Sequence, residues 1–347
     1  MLGYGVQVNA TVSWAKEDKN ALLHIGYPWL FDKPIMGYMD IYHKRPSYNQ
    51  LRHIVERSVY EIVNGGMLSL GYITPPWWQI LNNVHIMGGV GVDSIQYEKR
   101  PVMQPLVSPL GTPPEIIAIN NRSNIIYENL IAREFSPGEF FWLMVGAEQD
   151  MRNHPMHPSR GHKVKFSSRV ALPSFNSNIS FVWAELDAHW YTPLINERDL
   201  VLHLHGNFGV AQPLGNRNIP YGRLFHIGGD ASVRGFGFGD ISPSFQGDSL
   251  GAQKAFFVNT ELIFPIHPNM TIKGLVFYDG GSGWDSPYIP TGHPDTFTNN
   301  SFDYRHAIGF GVRILQPMPI RIDWGFKIDP RKNESSHQVH FGTSFDW

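Results

Sequence analysis

The chain alternates. In "PIRIDWGFKID" the apolar residues Ile320, Ile322, Trp324, Phe326 and Ile328 take every second position, with Arg321, Asp323, Gly325, Lys327 and Asp329 between them. A period of two sends one set to each face of a β-strand. "RHAIGFGVRIL" repeats the pattern, with Ile308, Phe310, Val312 and Ile314 set against Ala307, Gly309, Gly311 and Arg313. In "VWAELDAHW", Val182, Ala184, Leu186, Ala188 and Trp190 oppose Trp183, Glu185, Asp187 and His189. The first such run, "YGVQVNATVSW", sets Tyr4, Val6, Val8, Ala10, Val12 and Trp14 against Gly5, Gln7, Asn9, Thr11 and Ser13. One face of each strand is apolar and ends in aromatic rings; the other is polar or bare.

These runs reach about ten residues, the length of a tilted membrane-crossing strand, where strands of soluble domains average about five or six. Aromatic residues gather at the run ends, among them Trp14, Tyr27, Trp29, Trp190, Tyr191, Trp324 and Trp347, as in the girdles of an outer-membrane barrel. A soluble β-sandwich needs neither feature. The candidate strands are 4–14, 21–29, 35–45, 51–63, 66–74, 83–98, 123–133, 139–150, 161–172, 178–192, 199–210, 254–265, 270–280, 303–315, 319–328 and 338–347. That is about sixteen, and single-chain bacterial barrels have even numbers. The pattern is weakest over 51–74 and 99–135, where "PVMQPLVSPLGTPPE" is rich in proline.

Connections alternate in length. "PWLFDKP", "FPIHPN" and "LQPMP" are short, whereas 211–253 and 281–302 are long. Short periplasmic turns and long external loops give this asymmetry. The expected fold is all-β: a transmembrane antiparallel β-barrel of about sixteen strands that uses residues 1–347 as a single domain. Composition agrees, with 34 Gly, 22 Phe, 14 Tyr, 10 Trp and only 17% charged residues. A net charge of −2 gives no bulk electrostatic case for nucleic acid. Cysteine is absent, which removes disulfides and thiolate chemistry.

The longest loop contains "GGDASVRGFGFGD", residues 228–240, in which five glycines and two phenylalanines surround one arginine. On the strand that follows, Phe257, Asn259 and Glu261 face away from the lipid-like set Val258, Thr260, Leu262 and Phe264. On the next, Asp279 and Lys273 oppose Ile272, Gly274, Val276 and Tyr278. Two inward carboxylates beside a loop with one guanidinium predict that the loop folds into the lumen. Arg234 then anchors on both, since its fork can satisfy two carboxylates in a confined site. Gly235 and Gly237 allow close backbone approach, and Phe236 and Phe238 pack on the wall.

"SVRGF", followed by "NTELIFP", "FYDGG" and an aromatic last strand, resembles the outer-membrane assembly superfamily, which includes the two-partner secretion transporters. The resemblance covers the whole chain; it is specific over 225–347 and loose before about residue 80. "DMRNHPMHPSRG" (150–161) is similar to the family's Asp-x-Arg-Asp…Pro-x-x-Gly strand and turn, with Asn153 where the acid is usual. The resemblance implies that Val233, Arg234, Gly235 and Phe236 form the family's loop signature and that Arg234 pairs with Glu261 and Asp279. It implies a protein of the bacterial outer membrane that folds and inserts nascent β-barrel proteins without ATP or cofactor. The working part would be a lateral seam between the first strand (Tyr4, Val6, Val8, Val12, Trp14) and the last (His340, Gly342, Phe345, Trp347). "HFGTSFDW" is also similar to the C-terminal β-signal of outer-membrane barrels. A secretion transporter shares the loop and barrel but passes an unfolded chain through the lumen; a plug helix would mark it. A passive porin would need an open lumen, which an inward loop opposes. The family carries periplasmic POTRA domains that receive chaperones and lipoproteins. Because Met1 is followed at once by a barrel strand, with no signal peptide, a barrel without those domains is expected.

Enzymatic chemistry has candidates too. Glu185, Asp187 and His189 share the inner face of one strand, and His203 and His205 share a face of the next. A wet lumen is lined by such groups without catalysis, so no enzyme is expected. Neither "HPMHP" nor "LHLHG" offers a closed ligand set at tetrahedral spacing, so no metal or cofactor is expected either.

Overall fold

The computed structural model describes residues 5–14, 19–30, 33–48, 59–77, 82–98, 109–115, 117–118, 132–133, 135–174, 177–195, 199–245, 248–266, 272–286, 297–298, 300–316, 318–332 and 334–343. One antiparallel sheet dominates it. Its strands are β1 (Gln7–Trp14), β2 (Lys19–Tyr27), β3 (Ile35–Arg45), β4 (Val59–Ile73), β5 (Val84–Tyr97), β6 (Gly138–Asp150) and β7 (Gly161–Pro173). The second half adds β8 (Phe181–Ile195), β9 (Leu200–Pro213), β10 (Lys254–Pro265), β11 (Ile272–Trp284), β12 (Arg305–Ile314), β13 (Ile320–Lys327) and β14 (His337–Gly342). Each strand pairs with its sequence neighbours, so the sheet is a meander.

Fourteen strands are described where the sequence pattern predicts about sixteen. Residues 51–58 lie outside the described residues, and the rest of the predicted pair 51–63 and 66–74 falls on one continuous strand, β4. Gly65 and Gly66 make no turn there: a Cβ on Gly65 would meet the Asp93 carboxylate at 2.5 Å and the Tyr42 ring at 2.6 Å. The glycine is a thin spot under a neighbouring contact. The predicted strand 123–133 lies, apart from its last two residues, outside the described residues.

Alternation sorts the two faces as predicted. On β10, Ala255, Phe257, Asn259, Glu261 and Ile263 are buried, while Phe264 is exposed. On β8, β9, β11 and β12, Leu186, Leu204, Phe208, Val276, Ile308 and Phe310 are exposed large apolar residues. That outward band is what a hydrocarbon solvent requires, because each backbone polar group is already paired along the sheet. Trp14, Trp29 and Trp190 are exposed with it. Tyr191 is a correction to the predicted girdle. Its side chain is buried, and its ring stacks on His203 with centroids 4.3 Å apart. Adjacent residues alternate faces, so Trp190 and Tyr191 cannot both meet lipid.

The long loop begins at residue 214, because β9 continues to Pro213 instead of stopping at 210. It lies against the inner wall. Ile219 and Leu224 join one apolar cluster with Val63, Ile95, Phe140 and Phe181, which come from β4, β5, β6 and β8. Val233, Phe236 and Ile241 join another with Phe257 and Ala307 from β10 and β12. Contact from one loop to both halves of the sheet requires the sheet to curl around it. The core therefore sits between loop and wall, and each buried Phe or Ile adds about 1.5–3 kcal/mol. Among the described residues β1 pairs only with β2 and β14 only with β13, and no ladder joins the two.

Candidate functional site

The loop anchor is a guanidinium closed in by carboxylates. Register fixes where they stand: in the β10–β11 ladder Asn259 pairs with Asp279, and Glu261 lies two residues along on the same inner face. Arg234 makes a fork to Asp279, Nε to Oδ2 at 2.7 Å and Nη2 to Oδ1 at 2.8 Å. Its backbone N–H donates to the same Oδ2 at 3.0 Å. Nη1 lies 2.6 Å from Glu261 Oε1. The guanidinium carbon sits 3.6 Å from the centre of the Phe277 ring. Burial works against the charge of Arg234, but Asp279, Glu261 and Asp323 outweigh it and hold the proton more firmly than water does.

The backbone around Arg234 is shaped to match. Gly235 adopts φ +92°, a left-handed conformation that glycine takes without strain. It rests on the wall at Gly325, where an added Cβ would lie 2.5 Å from the Gly235 nitrogen. Val233 and Phe236 are buried on either side of it. The Phe236 ring also receives cations, with Lys327 Nζ 4.8 Å and the Arg305 guanidinium 5.1 Å from its centroid. Phe238 does not pack on the wall as predicted. It is exposed, its ring stacked on His226. Gly237 meets the Asp240 carboxylate, which accepts its N–H.

Sequence reading missed further partners. Asp323 is fully buried, 3.6 Å from Arg234 Nη1 and 2.8 Å from Arg313 Nη1, so the anchor holds three carboxylates and two guanidinium groups. Both additions were visible as inward positions of alternating strands. His340 on β14 accepts the Gly235 N–H at 3.1 Å, and Arg321 pairs with Asp230. These last contacts join the loop to the end of the barrel, and only the folded arrangement reveals them.

The turn 151–160 between β6 and β7 is built by its own motif. Arg152 forks onto Asp150, and Asn153 Oδ1 accepts the N–H groups of Ser159 and Arg160. Gly161 has φ +98° and leaves no room for a Cβ beside the Met151 carbonyl.

The remaining predicted residues belong to the two terminal strands. Val8, Val12 and Trp14 are exposed on β1, and Val6 sits just before it. On β14, Gly342 pairs with Arg321. Tyr4, Phe345 and Trp347 lie outside the described residues. The structure thus gathers the anchor residues in one place, and among the described residues no ladder joins β1 to β14.

The family model of the Omp85 superfamily domain matches residues 1–347. The chain belongs to the Omp85 superfamily. This Omp85 barrel is 27% identical over 237 residues to the outer membrane protein assembly factor BamA of Neisseria meningitidis serogroup B, covering 59% of this chain and 29% of that protein. Against BamA of Nitratidesulfovibrio vulgaris it is 29% identical over 144 residues, covering 41% of this chain and 17% of the relative. The chain thus spans under a third of the curated relatives it matches. Its fold is similar to that of BamA from Haemophilus ducreyi lacking POTRA domains 1–3, with a TM-score of 0.76 at 17% identity, covering 98% of this chain and 64% of that one. The Omp85 barrel is accordingly an outer-membrane β-barrel, and its loop signature and two wall carboxylates meet in one buried charge network.

Proposed function

We propose that this Omp85 barrel is the membrane module of an outer-membrane protein assembly factor, which folds and inserts nascent β-barrel proteins through a seam between β1 and β14. The edge strands carry this reading. All eight residues of β1 are exposed, and among the described residues each terminal strand has one ladder partner instead of two. An edge of unpaired N–H and C=O groups can template an incoming strand, and in lipid it must be paired by something. An incoming barrel edge satisfies it. Partners in this reading are nascent barrel proteins and the lipid bilayer, with periplasmic chaperones and lipoproteins reached through POTRA domains. It assigns no catalytic residue and needs no nucleotide. A secretion transporter would use the lumen instead, and the buried loop core between the walls counts against that path.

The test is a reversible lock. Cysteine pairs with one member in β1 and one in β14, at positions that satisfy disulfide geometry, should stop client insertion when oxidised and restore it when reduced. A control pair at Thr260 and Tyr278, opposite each other on β10 and β11, should change nothing. The cysteine-free chain removes competing thiols. Normal insertion by the locked seam would sink the reading and favour passage through the lumen.

A further inference from the structure

The inner wall and the start of the long loop enclose a cavity of about 270 Å³ that the assembly reading does not use. Strands β5 to β8 supply one side of it, and residues 222–225 of the loop supply the other. Its apolar lining is largely aromatic. Phe140 and Phe181 meet edge to face with centroids 5.9 Å apart, and Trp183 stacks on Phe225 of the loop at 5.8 Å. An apolar cavity of about 150 Å³ admits benzene, so this one has room for an aromatic ring with a short polar head.

Two of the charges that line it are left over. Arg223 donates to Asp93 Oδ2 at 3.0 Å and the Tyr42 hydroxyl donates to Oδ1, so Asp93 is occupied on both oxygens. Arg169 has no such partner. Among the described residues no carboxylate pairs with its guanidinium, which rests 4.9 Å from the centre of the Trp142 ring. Its Nε is shut away without an acceptor, so the Nη groups are what Arg169 offers the cavity. Glu185 is the opposite case. Its Oε1 accepts from Asn207 Nδ2 at 3.0 Å, and among the described residues no cation pairs with it. In the β7–β8 ladder Trp183 stands opposite Arg169 and Glu185 opposite Ser167, so Arg169 and Glu185 are diagonal neighbours on one face. Diagonal neighbours lie about 7–8 Å apart, and no ion pair closes this gap.

We infer that this cavity binds an aromatic α-amino acid, with its carboxylate on Arg169, its ammonium on Glu185 and its ring among Phe140, Trp183 and Phe225. A simple carboxylate would leave Glu185 beside a second anion, and a simple amine would leave Arg169 beside a second cation. A zwitterion answers both, because its two charges share one α-carbon. Charge-assisted hydrogen bonds of about 2.8 Å at each end carry it across the gap. The guanidinium fork matches a carboxylate in shape as well as in charge. A residue inside a polypeptide carries neither charge, so the ligand is the free amino acid. Because Phe225 belongs to the loop, the occupant also ties the start of the loop to the wall.

The chain, folded in detergent, is titrated with para-fluoro-L-phenylalanine and followed by fluorine NMR. Binding should saturate at one equivalent. Para-fluorophenylpropionate lacks the ammonium and para-fluorophenethylamine lacks the carboxylate; each should bind about tenfold more weakly or worse. This series uses the unmutated chain and needs no variant to fold. Arg169→Gln should weaken the amino acid by about tenfold and leave the amine no weaker, since the amine has nothing to lose there. Glu185→Gln should weaken the amino acid likewise and leave the propionate no weaker. Arg331→Gln, which removes the pair with Asp303, should change nothing. Absence of saturable binding by the amino acid would overturn the site. So would analogues that bind as tightly as the zwitterion, or full affinity in the Arg169 and Glu185 variants. Equal weakening of all three ligands in either variant would reduce that residue to a structural part and overturn its assignment.

Discussion

Arg234 is the residue on which the loop depends, because it touches strands β10, β11 and β13 at once. Arg234→Ala leaves Glu261 and Asp279 without their counter-ion, and breaking a buried pair costs about 3–5 kcal/mol where water does not enter. The variant should lose heat-modifiability on gels at a lower temperature, and protease should cut the 214–253 loop faster. Arg234→Lys should recover only part of this, since an ammonium cannot make the fork to Asp279. Unchanged loop cleavage in Arg234→Ala would show that apolar packing alone holds the loop. Gly325→Ala probes the same contact from the wall. Its Cβ would press on the Gly235 backbone, so it should release the loop much as Arg234→Ala does. Gly206→Ala, where a Cβ meets nothing within 4 Å, is the matched control and should be silent. If the two glycine variants behave alike, close approach at Gly325 is not what seats Gly235.

At the scale of elements, strands and loop were legible to different depths. Period-two alternation located β6 to β13 because one side of each strand meets lipid and the other a polar lumen, so the two faces differ sharply in sequence. It failed at Gly65–Gly66, where a glycine required by the Tyr42–Asp93 contact imitates a turn. The anchor was legible as an inward Glu261 and Asp279 beside Arg234. Asp323 and Arg313 had the same alternation signal but no motif to single them out. Cross-strand pairing hid the rest, since Arg169 diagonal to Glu185 and Gly235 against His340 depend on register, which no single segment carries. The loop has its own titration. Burial pushes the His226 imidazole down to about 4, against a Tyr221 carbonyl that favours the proton. In an unfolded loop it would titrate near 6.5. The loop's stability is therefore full above pH 6.5 and falls as pH drops from there toward 4, by at most about 1.4 kcal/mol per unit. Protease protection of the loop should weaken between pH 7 and pH 5, and His226→Phe should flatten that change. An equal change in the variant would assign the pH dependence to another group.

Over the whole molecule, strand length differs around the wall, and this bears on how a membrane responds to it. β4 and β8 have 15 residues each, whereas β13 has 8. At about 3.3 Å per residue and a tilt of about 40°, the long strands rise roughly 38 Å and the 8-residue strand roughly 20 Å. The apolar band of an outer-membrane barrel is about 25 Å tall, so the wall falls short of it at β13 and exceeds it at β4 and β8. Lipid against a short wall thins at a modest energy per ångström, and a thinned patch lowers the barrier for a client strand to enter. β13 adjoins the last strand, so under the proposed assembly reading thinning and templating would act side by side. The prediction concerns a ratio. In vesicles of long-chain lipid, where unaided insertion is slow, the barrel should accelerate client folding by a large factor. In vesicles of short-chain lipid, which are already thin, its acceleration should fall toward none. Lengthening the outward face of β13 with an apolar two-residue insertion should reduce the long-chain acceleration and leave the short-chain rate unchanged. An acceleration factor independent of lipid length would remove thinning from the mechanism and leave strand templating at the seam to account for the whole effect.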